Sequence, residues 1–480
     1  MSRILPRSTP RAEGVDPAAV RRLVEGLDRL EDVHSVLVLR HGHVITEGWW
    51  HPHTADRPHT MFSVSKSFTS TAVGIAVHEG LLALDDKVLD LLPDDAPAEP
   101  SDLLRAMRVR DLLTMTTGHS ASTMEGIDRT ISLPGAGWAR AILAQPVEHE
   151  PGTHFVYNTG ATYLLSAILH RLTGERLLDY LTPRLLAPLG ITHAAWEQDP
   201  DGIDTGGFGL SITTEEMAAF GQLYLQGGVW EGKQLVPAQW VADATARQVP
   251  NGPHAWPEWR QGYGYQFWQC RHGAYRADGA FGQYVLVWPE KDLVITMTSG
   301  LADLQSVLDV VWDALLPDDV WTGPDPAGVP TPDDTAVPFE LTLRTPVGAS
   351  STPIEESLRG VVYELEPNPR DVSALTLGRD TYGRTEVAFT IGGLDHFVRF
   401  GHEGWSPGTC SLLGAPADVA TAAAWTDQST FRGRMVFLGT PFEWRLELRF
   451  SGEEVAVLID RNVSFGERGL LDTTGTARRA

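Results

Sequence analysis

Met61-Phe62-Ser63-Val64-Ser65-Lys66-Ser67-Phe68 opens a small, apolar stretch, SFTSTAVGIAVHEGLLAL, that runs over residues 67–84. That stretch is apolar nearly all round, the pattern of a buried helix rather than a surface one. Ser63 and Lys66 are three residues apart, so helical geometry puts hydroxyl and amine on one face. A free serine hydroxyl is a weak nucleophile and needs a base within hydrogen-bond reach. A lysine can serve if burial or nearby positive charge lowers its pKa from ~10.4. Bringing it near 7 takes a shift of ~3 units, or ~4 kcal/mol of environment. Orphan N–H groups at the helix start also favour negative charge developing near Ser63. Ser-x-x-Lys by itself is common by chance, but a lysine at the mouth of a buried helix costs desolvation unless it has a partner or a task.

Working outward, residues 16–31 (DPAAVRRLVEGLDRLE) predict an amphipathic helix with Asp16 as N-cap and Pro17 in the first turn. Residues 35–40 (SVLVLR) and 44–50 (VITEGWW) are strand-like and joined by a tight turn at His41-Gly42-His43. His41, His43, His51 and His53 lack a ligand spacing such as H-E-x-x-H, and no metal site is expected. Residues 109–118 (VRDLLTMTTG) read as a short helix stopped by glycine, and residues 161–172 (ATYLLSAILHRL) as a second buried helix. A glycine-rich loop, 206–214, leads into a helix over 215–226 that Thr214 should cap. Residues 262–268, 282–288 and 293–299 are strand candidates, and 304–316 is the last helix of this part.

Strands at both ends with helices between predict an α+β domain over residues 1–316: an antiparallel sheet flanked by helices, with an inserted helical region. The Pro- and Asp-rich residues 317–338 read as a linker. Residues 339–480 change texture to short alternating runs, at 339–344, 361–365, 374–377, 386–391 and 444–450, which predict an all-β barrel or sandwich. A chain of 480 residues is long enough for two such domains.

Lys and Arg number 38 against 62 Asp and Glu, a net charge of −24, which disfavours nucleic-acid and anionic-membrane partners. Cys270 and Cys410 lie far apart and imply no disulfide framework. The first residues lack the apolar core of a secretory signal and no stretch reaches the ~20 apolar residues of a membrane span, so a cytoplasmic protein is expected.

Acyl transfer needs a nucleophile, a proton relay and donors for the oxyanion. Tyr157, in a polar loop before the second buried helix, is a candidate third member beside Ser63 and Lys66, and a lysine ammonium beside it would move the phenol toward phenolate. The order Ser63-x-x-Lys66, Tyr157-Asn158-Thr159 and Ala277-Asp278-Gly279 resembles the serine β-lactamase and penicillin-recognising family over residues 10–316. It looks most like the class C-related branch of esterases, D-aminopeptidases and nylon-oligomer hydrolases, and VRDLLTMTTG, GGFGLSITTEEMAAFGQLYLQGG and DGAFGQYVLVWPEKDLVITMTS agree.

The resemblance implies a β-lactamase-like fold in which Ser63 is acylated while Lys66 and Tyr157 share the acid and base roles. It further implies an oxyanion hole from the N–H groups of Ser63 and Ala280, with Thr159, Asp278 and Gly279 facing the substrate and no metal or organic cofactor. Two departures stand out. Ala277 occupies the place of a Lys or His that holds substrate carboxylates, a loss of ~1.5–3 kcal/mol of recognition. Thr159 replaces an Asn used as an amide donor. Both changes, with Asp278 alongside, point to a small neutral ester or amide, with Trp268 and Phe281 as lining aromatics. The alternatives are a D,D-peptidase or β-lactamase, and a catalytically idle protein of the same fold that binds a ligand or partner.

Overall fold

The computed structural model describes residues 4–127, 137–325, 340–412 and 414–478. An antiparallel sheet anchors the first part, with strands in the order His43–Trp49, Val33–Arg40, Leu293–Ser299, Gln283–Trp288, Tyr275–Gly279 and Trp268–Gln269. Leu293–Ser299 and Gln283–Trp288 are buried along their whole length, which fits their largely apolar makeup, and buried polar members such as Gln283, Thr296 and Ser299 are hydrogen-bonded. The terminal helices Pro17–Asp28 and Leu304–Leu315 pack on each other with Gly26 against Val310. The helix Thr214–Leu225 packs on the central strands, where Gly221 lets it approach Val285 and Val294.

Between the sheet's two sequence halves lies the helical region expected there. Its central helix, Ser65–His78, has every residue from Ser65 to Ala76 buried. The helix stops at His78 rather than reaching residue 84, because Gly80 turns the chain through a left-handed conformation (φ +75°). The helix expected over 109–118 covers only Val109–Leu113. Thr213, not Thr214, caps the Thr214–Leu225 helix, closing a capping box with Glu216. Residues 262–267 form no strand beyond bridges at Tyr263, so the outer edge of the sheet is Trp268–Gln269 with Tyr275–Gly279.

Of the expected linker, residues 326–338 lie outside the described residues, as does Phe339. Its start is anchored instead: Val320 is buried, and the backbone of Trp321 bridges to Val15. Residues 340–344 run as an irregular segment bridged to His51 through Thr342, not as a strand.

The C-terminal part has its own core around Leu375, Val387, Phe431 and Leu448. Its ten strands form one antiparallel sheet from Leu394–Phe400 at one end to Ser406–Cys410 at the other. The ends approach through Thr421 Oγ1 to Arg399 O (2.6 Å) and Ala423 N to Gly401 O (2.8 Å), so the barrel is nearly closed. Side chains fill it: the space left among Phe389, Phe400 and Trp444 is about 10 Å³, too small for a ligand.

Polar contacts fasten the barrel to the first part. Arg434 and Arg445 reach Asp32 at 3.3 and 3.2 Å, and both also pair with Glu443. Asn462 Nδ2 donates to Gly300 O at 3.0 Å, and Thr60 N to Gly439 O at 2.9 Å. Cys270 and Cys410 are free and buried. Among the described residues no helix is long and apolar enough to cross a membrane.

Candidate active site

Phe62–Val64 form a single 3-10 turn that runs straight into the Ser65–His78 helix. The three-residue spacing survives that junction, and Lys66 Nζ lies 2.9 Å from Ser63 Oγ. Lys66 also donates to Gly207 O at 2.8 Å and to Thr159 Oγ1 at 3.2 Å. All three partners are neutral oxygens, so none compensates a buried positive charge as a carboxylate would. Asp278 pulls the other way from a distance, but burial outweighs it and lowers the Lys66 pKa from 10.5 to about 7.

Tyr157 enters the same pocket just ahead of the helix Thr159–Thr173. Asn158 holds that junction: its side-chain oxygen accepts from Gly160 N, Thr123 N and Thr123 Oγ1 at 3.0, 3.0 and 2.9 Å. Tyr157 lines the same cavity as Ser63, with its ring 5.2 Å from that of Trp268. Lys66 Nζ stands 4.9 Å from the centre of its ring, over the face of the phenol. The expected drift toward phenolate is therefore corrected. Burial raises the Tyr157 pKa, and the hydroxyl stays protonated.

The third motif arrives on Tyr275–Gly279. Gly279 has no room for a side chain, since a Cβ there would sit 2.3 Å from Met61 O. That close approach sets the residue after it, Ala280, beside the nucleophile turn, and both Ser63 and Ala280 line one cavity. Asp278 is held by Arg276 Nε at 2.9 Å, yet burial still pushes its carboxyl up against the pull of Arg276 and Lys66. Arg276 is wholly buried, with its guanidinium 4.3 Å from the Trp259 ring centre and Nη1 on the carbonyls of Glu258 and Gln269.

The cavity is about 740 Å³, the size of a small-molecule site. Phe155, Phe208, Trp259 and Trp268 give it aromatic walls; Asp278 and Glu125 are its carboxylates. Trp268 and Thr159 are where the sequence places them, although Thr159 also serves Lys66. Phe281 is not part of the lining. It lies behind Phe62, edge to face at 5.5 Å. Among the contributors that escape sequence reasoning are the Gly207 carbonyl on Lys66, the Arg276 clamp on Asp278, and Phe465, which reaches the cavity from the C-terminal barrel. The glycine-rich loop at 206–209 is a sequence signal for the first; neither of the others has one.

A family model described as Beta-lactamase matches residues 20–315. A 6-aminohexanoate-dimer hydrolase from Paenarthrobacter ureafaciens is 26% identical over 309 residues, covering 60% of this chain and 78% of that protein. A D-aminopeptidase from Brucella anthropi is 30% identical over 175 residues, which span 33% of this chain and 32% of its own length. Among solved structures, the octameric penicillin-binding protein homologue from Pyrococcus abyssi superposes with a TM-score of 0.51 at 15% identity, covering 96% of this chain and 99% of that one. That last likeness is one of fold, and it extends through the barrel.

Proposed function

The chain belongs to the beta-lactamase family, and from that membership we propose that it is a serine hydrolase that cleaves a small neutral ester or amide through an acyl-enzyme on Ser63. The observation that carries the reading is the contact of Lys66 Nζ with Ser63 Oγ at 2.9 Å in a setting that lets the amine give up its proton near pH 7. A neutral amine at that distance can take the serine proton as Oγ attacks the carbonyl carbon. The tetrahedral oxyanion is then met by the N–H groups of Ser63 and Ala280, donors of a kind whose removal costs about 3–4 kcal/mol in known sites. Collapse breaks the bond to the leaving alcohol or amine, which takes a proton from the Lys66–Tyr157 pair. Water repeats the sequence on the acyl-enzyme and frees the acid.

The cavity disfavours an anionic substrate. Its lining carries two carboxylates, while Arg276 is committed beneath the site and Ala277 is buried in its strand. The relative named as a 6-aminohexanoate-dimer hydrolase favours a hydrolytic reading over a purely binding one.

The test is a short-chain nitrophenyl ester mixed with the purified protein, followed by intact mass. A burst of nitrophenol with one acyl group added, both absent in Ser63→Ala, supports the reading. Absence of turnover together with failure of a fluorophosphonate probe to label Ser63 defeats it, and covalent labelling by a fluorescent penicillin moves it to the peptidase alternative.

A further inference from the structure

Two residues flanking the proposed oxyanion donors carry backbone conformations that side-chain-bearing residues seldom adopt. Phe62, just before Ser63, has φ +47°, and Phe281, just after Ala280, has φ +66°. Such conformations persist where the surroundings over-determine them. Here the surroundings come partly from the other end of the chain. Phe442 of the barrel lies 6.1 Å from the ring of Phe62 and 5.8 Å from that of Phe281, both near edge-on. Phe465 lies 5.8 Å from Phe62 and 4.7 Å from Phe281.

Phe465 differs from its neighbours in being 76% exposed while also lining the cavity of Ser63. It stands at the tip between the strands Glu454–Arg461 and Gly469–Arg478. The base of that tip is closed by Arg461 N to Arg468 O at 3.0 Å and Arg468 Nε to Arg461 O at 2.9 Å. Asn462 pins it to both parts of the protein, donating to Gly300 O and to Pro441 O at 2.8 Å. The ring is thus held on a fixed support, tilted against Phe62 and Phe281 on one side and otherwise exposed at the cavity wall. An open phenyl ring in that place is apolar surface that an apolar substrate group can cover.

We infer that the C-terminal barrel is part of the substrate site, with Phe465 a specificity-determining wall for an apolar or aromatic group attached to the scissile ester or amide. The inference rests on the hydrolase reading of the Ser63 cavity and adds to it where the substrate's bulk is read. Since the barrel interior is filled, the barrel acts here through this tip and not through a calyx of its own.

The test compares the full-length protein with Phe465→Ala, using nitrophenyl acetate against nitrophenyl phenylacetate. A second series places the aromatic group on the alcohol side. Tyr382→Ala, an exposed barrel ring in another turn, is the control and leaves all ratios unchanged. In one of the two series, Phe465→Ala is expected to reduce the preference for the aromatic over the small substrate about ten-fold. A non-hydrolysable aromatic ketone, followed by tryptophan fluorescence, reads binding without turnover and should bind correspondingly more weakly. Ratios and ketone affinity within two-fold of the parent overturn the inference, as does a ketone that does not bind the parent protein. If the parent turns over no ester but binds the ketone, and Phe465→Ala weakens it, the wall stands and the hydrolase reading falls.

Discussion

Lys66 and Gly207 meet through one hydrogen bond, Nζ to carbonyl oxygen at 2.8 Å, and the character of that partner decides the chemistry. A carboxylate in the same place would hold the ammonium charged, whereas a carbonyl and two hydroxyls position it and leave burial free to lower its pKa to about 7. The acid limb of kcat/KM is therefore expected to rise through about pH 7 as Lys66 loses its proton. Lys66→Arg, which stays charged, should lose activity across the whole range. An acid limb near 4, the mark of a carboxylate base, defeats the assignment.

The same burial works against stability. Lys66 has a folded pKa below its unfolded 10.5, so its contribution is complete only above 10.5 and is lost as pH falls through about 7. A shift of that size corresponds to on the order of 4 kcal/mol at low pH. Lys66→Met is thus expected to be inactive yet to melt at a higher temperature than the parent, by calorimetry at pH 6. A lower melting point would show that the three hydrogen bonds of Lys66 outweigh its desolvation.

Tyr157 tests the division of labour. Its raised pKa leaves a protonated hydroxyl in the cavity that Ser63 also lines, suited to passing a proton and unsuited to taking the first one. Tyr157→Phe is expected to lower kcat by about 10²–10⁴-fold. The acid limb should stay near 7, because Tyr157 is not among the causes of the Lys66 shift. If the limb instead disappears, Tyr157 is the base.

How much of this was readable beforehand follows from the range of each interaction. Ser63 and Lys66 are local, so their spacing survived even though a 3-10 turn replaces the first turn of the expected helix. The strand over 293–299 and the helix beginning at Leu304 matched because burial imposes a pattern on consecutive residues. Tyr157 was placed by motif order, but its protonation state depends on desolvation by Trp268 and Tyr263, which no spacing encodes. Residues 262–267 misled because Gly and aromatic residues alternate there as they do in strands. Phe465 was invisible. It is one phenylalanine in a polar turn, and only the docking of the barrel through Asn462 and Gly300 brings it to Ser63.

Gly279 gives a sharper steric test. A methyl group there would stand 2.3 Å from the Met61 carbonyl, a backbone atom that cannot swing aside as a side chain can. Gly279→Ala should push the strand end from the nucleophile turn and carry the Ala280 N–H out of register, costing about 10²–10³ in kcat, the scale of a lost oxyanion donor. The apparent KM should change far less. Full activity in Gly279→Ala would mean that Ala280 does not serve the oxyanion.

The seam between the two parts predicts a response to acid. His34, His53 and His59 are buried together there, with His34 Nδ1 at 3.1 Å from His59 Nε2 and His53 stacked on His34 at 3.8 Å. Burial lowers all three pKa values, that of His59 to about 4, and the groups facing them add positive charge: Arg434 toward His34, Arg57 and His51 toward His53. With folded values below the ordinary 6.5, the unfolded chain binds more protons, so stability is complete above 6.5 and is lost as pH falls toward about 4. Asp32 acts in the opposite sense. Its carboxyl is raised to about 6 by burial and by Glu443, so its contribution is present below the ordinary 3.8 and lost as pH rises through 6. Three imidazoles against one carboxyl leave a net loss in acid. The melting temperature is expected to fall between about pH 7 and about pH 5. His53→Gln, which removes the imidazole with an unpaired buried Nε2, should flatten that slope. A melting temperature constant over the interval would show that the cluster does not set the acid limit of the seam.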